Sequence, residues 1–233
     1  MSAQNDWRVT TRSIFRHPKG GCRLYLITPP QLTVKRFLPP LEAALAAGDV
    51  ACVQLRLKGA AGAPAPARVW LDASRRIAPV LRRHGALFVL NDRVELVRAC
   101  GADGAHVGAR DMPLAAARAQ LGEDAVLGVS CGASRARARA AAVAGADYVA
   151  FGSFYPSSTK ASPHRPRPAI LRWWRSTSLL PSVAIGGIVP TNAAPLIAAG
   201  ADFLAVSQGV WGHAEGAAAA VADFTHRMGQ GSA

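Results

Sequence analysis

Two cations and an amide recur at every second position in Gln54-Leu55-Arg56-Leu57-Lys58. In an extended chain alternate residues share a face, so Gln54, Arg56 and Lys58 would stand together, a set suited to a phosphate or a diphosphate. A further cation, Lys160, ends the stretch Y-V-A-F-G-S-F-Y-P-S-S-T-K that begins at Tyr148. There an apolar run breaks at Gly152 and opens into a loop bearing Ser157, Ser158, Thr159 and Lys160, hydroxyls and an ammonium group of the kind that receive an anion. Asn91-Asp92 and Gly108-Ala109-Arg110-Asp111 each bring a carboxylate. Two carboxylates at one point can hold a hard cation, and magnesium commonly joins one or two of them to substrate phosphates. Gly186-Gly187 and Val206-Ser207-Gln208-Gly209 would let backbone N–H groups approach a phosphate. Each piece also has a plainer reading: a polar strand end in a basic protein, a solvated Ser/Thr loop, or aspartates capping the helices that they precede.

The elements that would position these residues follow from periodicity. Apolar runs predict strands at 22–28, 51–55, 86–90, 104–107, 125–129, 148–151, 183–185 and 203–206. Helical spacing fills the gaps at 37–47, 68–84, 94–100, 114–121, 134–144 (capped by Ser134), around 170–174, and 191–199 (capped by Thr191), with a closing helix over 210–228. Strict alternation of strand and helix points to a parallel sheet, and eight strands close into a barrel. Gly-Ala-Asp recurs at 101–103, 145–147 and 200–202, each time between a predicted helix and a predicted strand, where glycine permits the left-handed turn. An open doubly wound sheet is the rival, but no G-x-G-x-x-G follows the first strand and no Walker-type loop is present. The expected architecture is α/β, a single (β/α)8 TIM barrel over 22–229, preceded by a loose basic tail over 1–21. In such a barrel the site lies at the carboxyl ends of the strands, where every candidate above falls.

Composition narrows the function classes. The 233 residues are 50% hydrophobic, enough for a substantial core, and contain no run of 18 or more apolar residues and no apolar segment of a secretory kind near the start. A cytoplasmic protein without membrane association is expected. Cys22, Cys52, Cys100 and Cys131 are scattered, with no C-x-x-C pair, and read as buried thiols; Cys131 is a candidate for the pocket wall, without a base to activate it. His106, inside the fourth strand, reads as a packed or supporting group rather than a catalyst. The net charge of +13 is carried largely by arginines on predicted helices, such as Arg75, Arg76, Arg135, Arg137 and Arg139, with no interleaved aromatics. That pattern argues against a nucleic-acid surface and for small phosphorylated partners. A homo-oligomer remains open.

Taken in order and spacing, Y-L-I-T, V-Q-L-R-L-K, L-N-D-R, G-A-H-V-G-A-R-D-M-P, G-V-S, the stretch ending at Lys160, V-A-I-G-G-I and A-D-F-L-A-V-S resemble the thiamine-phosphate synthases, from about Arg23 to His213. The resemblance implies a barrel transferase that condenses 4-amino-2-methyl-5-pyrimidinylmethyl diphosphate with thiazole phosphate, giving thiamine phosphate and diphosphate, with Mg2+ as the metal. It further implies that Gln54, Arg56, Lys58, Asn91, Ser130 and Lys160 hold the pyrimidine diphosphate, with Arg56, Lys58, Ser130 and Lys160 serving the chemistry. Asp92 and Asp111 would hold the metal, Ser157 and Thr159 the thiazole partner, and Gly187, Val206 and Ser207 its phosphate. The chain departs from the family pattern at Leu57, where an acidic residue is usual, at Ala109-Arg110 in place of Gln-Glu, and at Ser157 in place of threonine. Arg110 would compete for Asp111 unless it points outward. Three other readings stay open: a thiazole tautomerase-like enzyme, which would need a histidine just after the fifth strand where Cys131-Gly132 stand, a catalytically silent phosphate-binding barrel, and nucleic-acid association through the net charge, which a salt titration would test.

Overall fold

Short aliphatic and β-branched runs buried on both faces favour parallel pairing, and here they pair in sequence order into a closed barrel. The strands are β1 (Arg23–Ile27), β2 (Val50–Leu55), β3 (Leu87–Asn91), β4 (Gly104–Val107), β5 (Val126–Gly132), β6 (Tyr148–Gly152), β7 (Ser182–Ile185) and β8 (Phe203–Val206). The computed structural model describes Phe15 and residues 21–59, 62–108, 112–157 and 165–230. Around the barrel run α1 (Val34–Ala46), α2 (Ala67–Arg83), α3 (Val97–Cys100), α4 (Leu114–Leu121), α5 (Arg135–Val143), α6 (Ala169–Thr177), α7 (Ala194–Ala198), α8 (Gln208–Trp211) and α9 (Ala217–Gln230). The fold is the expected single (β/α)8 TIM barrel. Among the described residues no helix is long and apolar enough to cross a membrane.

The Gly-Ala-Asp repeat makes the same turn three times. Gly101, Gly145 and Gly200 have φ of 62°, 82° and 87°, the left-handed conformation that ends a helix. Each aspartate then enters its strand and clamps the preceding one. Asp103 accepts from Phe88 N–H at 2.7 Å, Asp147 from Leu127 N–H at 2.9 Å and Asp202 from Ser182 N–H at 2.8 Å. Donors at the amino-terminal rim are thereby satisfied without water. At the second turn Arg118 of α4 adds an ion pair to Asp147 at 2.6 Å and bonds to the carbonyls of Gly122, Ala125 and Gly145.

Alternation divides the strand side chains into two cores. Leu26, Leu55, Leu90, Val107, Val129, Phe151, Ala184 and Leu204 face the helices, while Tyr25, Cys52, Val89, Val126, Tyr148, Val183 and Phe203 fill the barrel. Gly128 on β5 makes room for the largest of these, since a Cβ there would lie 1.9 Å from the Tyr148 ring.

Three expectations need correction. Phe15, within the stretch read as a loose tail, is fully buried and stacks on Tyr148 with ring centroids 4.5 Å apart, also meeting Phe203 at 5.0 Å. Both partners open their strands, so Phe15 fills the amino-terminal end of the barrel interior. The closing helix is two helices, α8 and α9, because Gly212 and Gly216, the latter at φ 89°, interrupt the pattern. Asn192, not Thr191, serves the turn before α7, its side chain accepting from Val189 N–H at 2.9 Å.

The buried ion pair and the neutral clamp should separate on truncation. Asp147→Ala strands the Arg118 guanidinium and should cost about 3–5 kcal/mol of unfolding free energy, whereas Asp202→Ala orphans only Ser182 and should cost about 1–3 kcal/mol. Urea unfolding of both variants checks this, and equal losses would assign the effect to the shared clamp rather than to the charge.

Candidate active site

The carboxyl end of β2 shows the alternation read from the sequence. Leu55 and Leu57 are buried against the helices, so Gln54, Arg56 and Lys58 face the other way, toward the barrel axis. Gln54 is 3% exposed and reaches Tyr25 inside the barrel. Two backbone contacts hold the cations in place: Arg56 N–H donates to Thr28 Oγ1 at 3.0 Å, and Lys58 N–H to Pro30 O at 2.7 Å. Thr28, wholly buried at the end of β1, is a positioning residue that its place in Y-L-I-T did not reveal.

Beside this strand end, at the end of the neighbouring β3, stand Asn91 and Asp92. Asp92 is the one non-glycine residue with positive φ, 62°, among the described residues, a conformation that aspartate tolerates better than most side chains. Its N–H donates to His106 O at 2.9 Å, and its Oδ2 accepts from Asn91 Nδ2 at 2.5 Å and lies 3.9 Å from Lys58 Nζ. The plainer reading of Asp92 as a helix cap does not hold: Arg93 occupies the N-cap of the turn that follows. Arg93 itself donates to Ala65 O at 2.9 Å, lies over the Trp70 ring and pairs with Glu95.

Ser130 on β5 faces inward and pairs with His106 Nε2 at 2.8 Å. Cys131, a candidate for the pocket wall, instead packs fully buried among the helices, where burial pushes its thiol up to about 12. Strand alternation places it there once Ser130 points inward. Past β6, Tyr155 N–H donates to Gly186 O at 3.0 Å and its hydroxyl to Asn192 O at 2.7 Å, tying the loop that carries Ser157 to the end of β7. Val206 turns its side chain into the outer core, leaving only its backbone for a ligand, and Ser207 follows half-buried at the start of α8. Gln54, Arg56, Lys58, Asn91, Asp92, Ser130, Ser157, Gly187 and Ser207 therefore share one end of the barrel. Asp111, Thr159 and Lys160, with Ala109, Arg110 and Ser158, lie outside the described residues.

No group of three or more His, Cys, Asp or Glu side chains is gathered for a metal among the described residues. A hard cation nonetheless suits the donors at the mouth. Asp92 offers a carboxylate at a strand end beside the Lys58 ammonium, which would draw phosphates, and magnesium needs only one or two carboxylates when phosphate oxygens complete its shell.

A family model described as thiamine monophosphate synthase matches residues 24–210. Thiamine-phosphate synthase of Rhodospirillum centenum is 51% identical over 207 residues, covering 89% of this chain and 98% of that protein. The same enzyme of Hyphomonas neptunium is 49% identical, covering 89% and 94%. This chain belongs to the thiamine monophosphate synthase family. Among solved structures, thiamine phosphate pyrophosphorylase from Pyrococcus furiosus superposes with a TM-score of 0.77 at 29% identity, covering 92% of this chain and 99% of that one.

Within this family member Gly187 carries a constraint beyond openness to a phosphate. Its φ is 65°, and a Cβ would lie 2.3 Å from Pro156 O and 2.9 Å from the Tyr155 carbonyl carbon. Any side chain would push away the loop that bears Ser157, so substitution here disturbs both halves of the site. Gly187→Ala should cost about 1–3 kcal/mol through strain and the close approach to backbone. Thermal unfolding without ligand measures it; an unchanged Tm would show that the loop yields freely.

Proposed function

We infer that the barrel mouth itself performs the transfer of this thiamine-biosynthesis enzyme, joining 4-amino-2-methyl-5-pyrimidinylmethyl diphosphate to thiazole phosphate. The single observation that carries the assignment is the side-by-side placing of the ends of β2 and β3, which brings Lys58 Nζ to 3.9 Å from the Asp92 carboxylate. That spacing leaves cations and a carboxylate poised around one place where a diphosphate can sit. In the reaction the bond between the pyrimidine methylene carbon and the diphosphate oxygen breaks, its electron pair leaving with diphosphate. The thiazole nitrogen forms the new bond to that carbon. No side chain need act as a nucleophile, which accords with the absence of a Ser-His-Asp or Cys-His set in the sequence.

The protein's task is to hold the leaving group and take up its charge. Arg56, Lys58 and Lys160 supply cations, Asn91 and Ser130 supply donors, and Gln54 holds the pyrimidine end. Magnesium, held by Asp92 and Asp111, would neutralise charge on the departing diphosphate. Ser157 and Thr159 contact the thiazole, and Gly187, Val206 and Ser207 meet its phosphate through backbone and hydroxyl. A tautomerase-like reading finds less support, because the thiol after Ser130 is buried among helices and Gly132 has no side chain.

Incubation with both precursors and magnesium should yield thiamine phosphate and diphosphate; binding of both without product would leave a silent barrel. Lys160→Ala or Arg56→Ala should each lower kcat by about 10²–10³-fold, the usual loss on removing a charge-stabilising donor, with Tm little changed. Asp92→Asn and Asp111→Asn should weaken diphosphate-dependent magnesium binding by calorimetry, with excess magnesium restoring part of the activity. Tight magnesium binding without diphosphate, or full activity of either variant at low magnesium, would refute the shared metal.

A further inference from the structure

Five polar side chains inside the barrel form one continuous chain. Gln54 Nε2 donates to Tyr25 Oη at 3.0 Å, the Tyr25 and Tyr148 hydroxyls lie 2.9 Å apart, Tyr148 Oη meets His106 Nδ1 at 3.0 Å, and His106 Nε2 meets Ser130 Oγ at 2.8 Å. Tyr25 and Tyr148 are essentially inaccessible to solvent, and burial holds both phenols well above their ordinary range, so each keeps its proton.

Counting protons gives the chain a direction. An amide nitrogen can only donate, so Tyr25 accepts from Gln54 and has its own proton to give. Tyr148 Oη is the better acceptor for it, since the neighbouring Cys52 thiol accepts weakly. Tyr148 then gives its proton to His106 Nδ1, which must be a lone pair. The imidazole proton therefore sits on Nε2 and is donated to Ser130 Oγ. What remains at the His106 end is the serine proton, which no other side chain of the five accepts. With the Gln54 amide reversed, every arrow turns round and the serine proton is consumed by His106.

We propose that His106 is a positioning residue for the transfer, locked by Tyr25 and Tyr148 as the Nε2–H tautomer so that Ser130 is bound to present its hydroxyl proton, and not a lone pair, to the diphosphate. The inference rests on the place given to Ser130 in the proposed function. Its chemistry is that of an anion site. Ionised phosphate oxygens only accept, so a serine whose proton was spent on His106 would turn lone pairs toward negative charge, whereas one that accepts from His106 is a donor before the substrate arrives.

The tautomer can be read directly on the resting wild-type enzyme from the 15N shifts of labelled histidine. A proton on Nε2 of His106 is expected; a proton on Nδ1 overturns the direction. This reading stands apart from whether thiamine phosphate is formed. Tyr148→Phe deletes the oxygen that fixes Nδ1, which also receives the Tyr25 proton, and should mix the tautomers and lower kcat by about tenfold, leaving KM for thiazole phosphate unchanged. In a Ser130→Ala background the same substitution should cause no further loss. Additive losses, or a Ser130→Ala enzyme as active as the parent, would overturn the positioning role.

Discussion

A closed barrel of eight short strands has an interior that water does not reach, and any polar group placed there must find a partner inside. This barrel puts two tyrosines, a histidine, a glutamine and a serine in that space and joins them end to end. The arrangement depends on small residues beside them. Gly128 admits the Tyr148 ring, and Phe15 covers the same ring from the amino-terminal side. Removing one link would leave buried donors or acceptors unmatched on both sides, so the chain is satisfied as a whole or not at all. The chain also surfaces at the carboxyl end, through Gln54 and Ser130, which makes the packing of the barrel and the chemistry of its mouth one problem.

The fold was legible because local signals agreed with one another. Alternation of apolar runs with helical spacing gave all the strands within a few residues, and the Gly-Ala-Asp repeat marked three of the turns. Periodicity shows the glycine's role in such a turn; it does not show that the aspartate reaches back to the preceding strand, because that bond joins residues about 15 to 20 positions apart. Phe15 escaped for the same reason. Phe15 belongs to no periodic apolar pattern in its stretch, and its burial follows from a space in the barrel that only the assembled strands create.

At the site, face was more legible than depth. Strand alternation correctly separated Gln54, Arg56 and Lys58 from Leu55 and Leu57, and applied further along it would have turned Cys131 and Val206 outward. Tyr25 and Tyr148 drew no attention because a tyrosine in an apolar strand reads as core. Only their pairing across the barrel, between strands far apart in sequence, gives the hydroxyls a role. Thr28 likewise has no signal until β1 and β2 lie side by side.

His106 shows how much one strand position can determine. It pairs in register with Asn91, its carbonyl takes the N–H of Asp92, and its ring takes Ser130. Asp92 sits in a left-handed conformation, and such strain runs to roughly 1–3 kcal/mol. The Lys58 contact cannot offset that: both side chains are about 30% exposed, and exposed pairs contribute at most ~1 kcal/mol. The carboxylate is held instead by backbone, through a bond that extends the β3–β4 ladder one residue beyond the strand. The two halves of the mouth are thus positioned by the same residue in different ways, the carboxylate by its peptide group and the serine by its side chain. Replacing the imidazole releases the serine and the Tyr148 hydroxyl but leaves the Asp92 backbone contact, whereas a one-residue slip of β4 would turn the ring outward and shift the carbonyl as well, so the register of one strand fixes both.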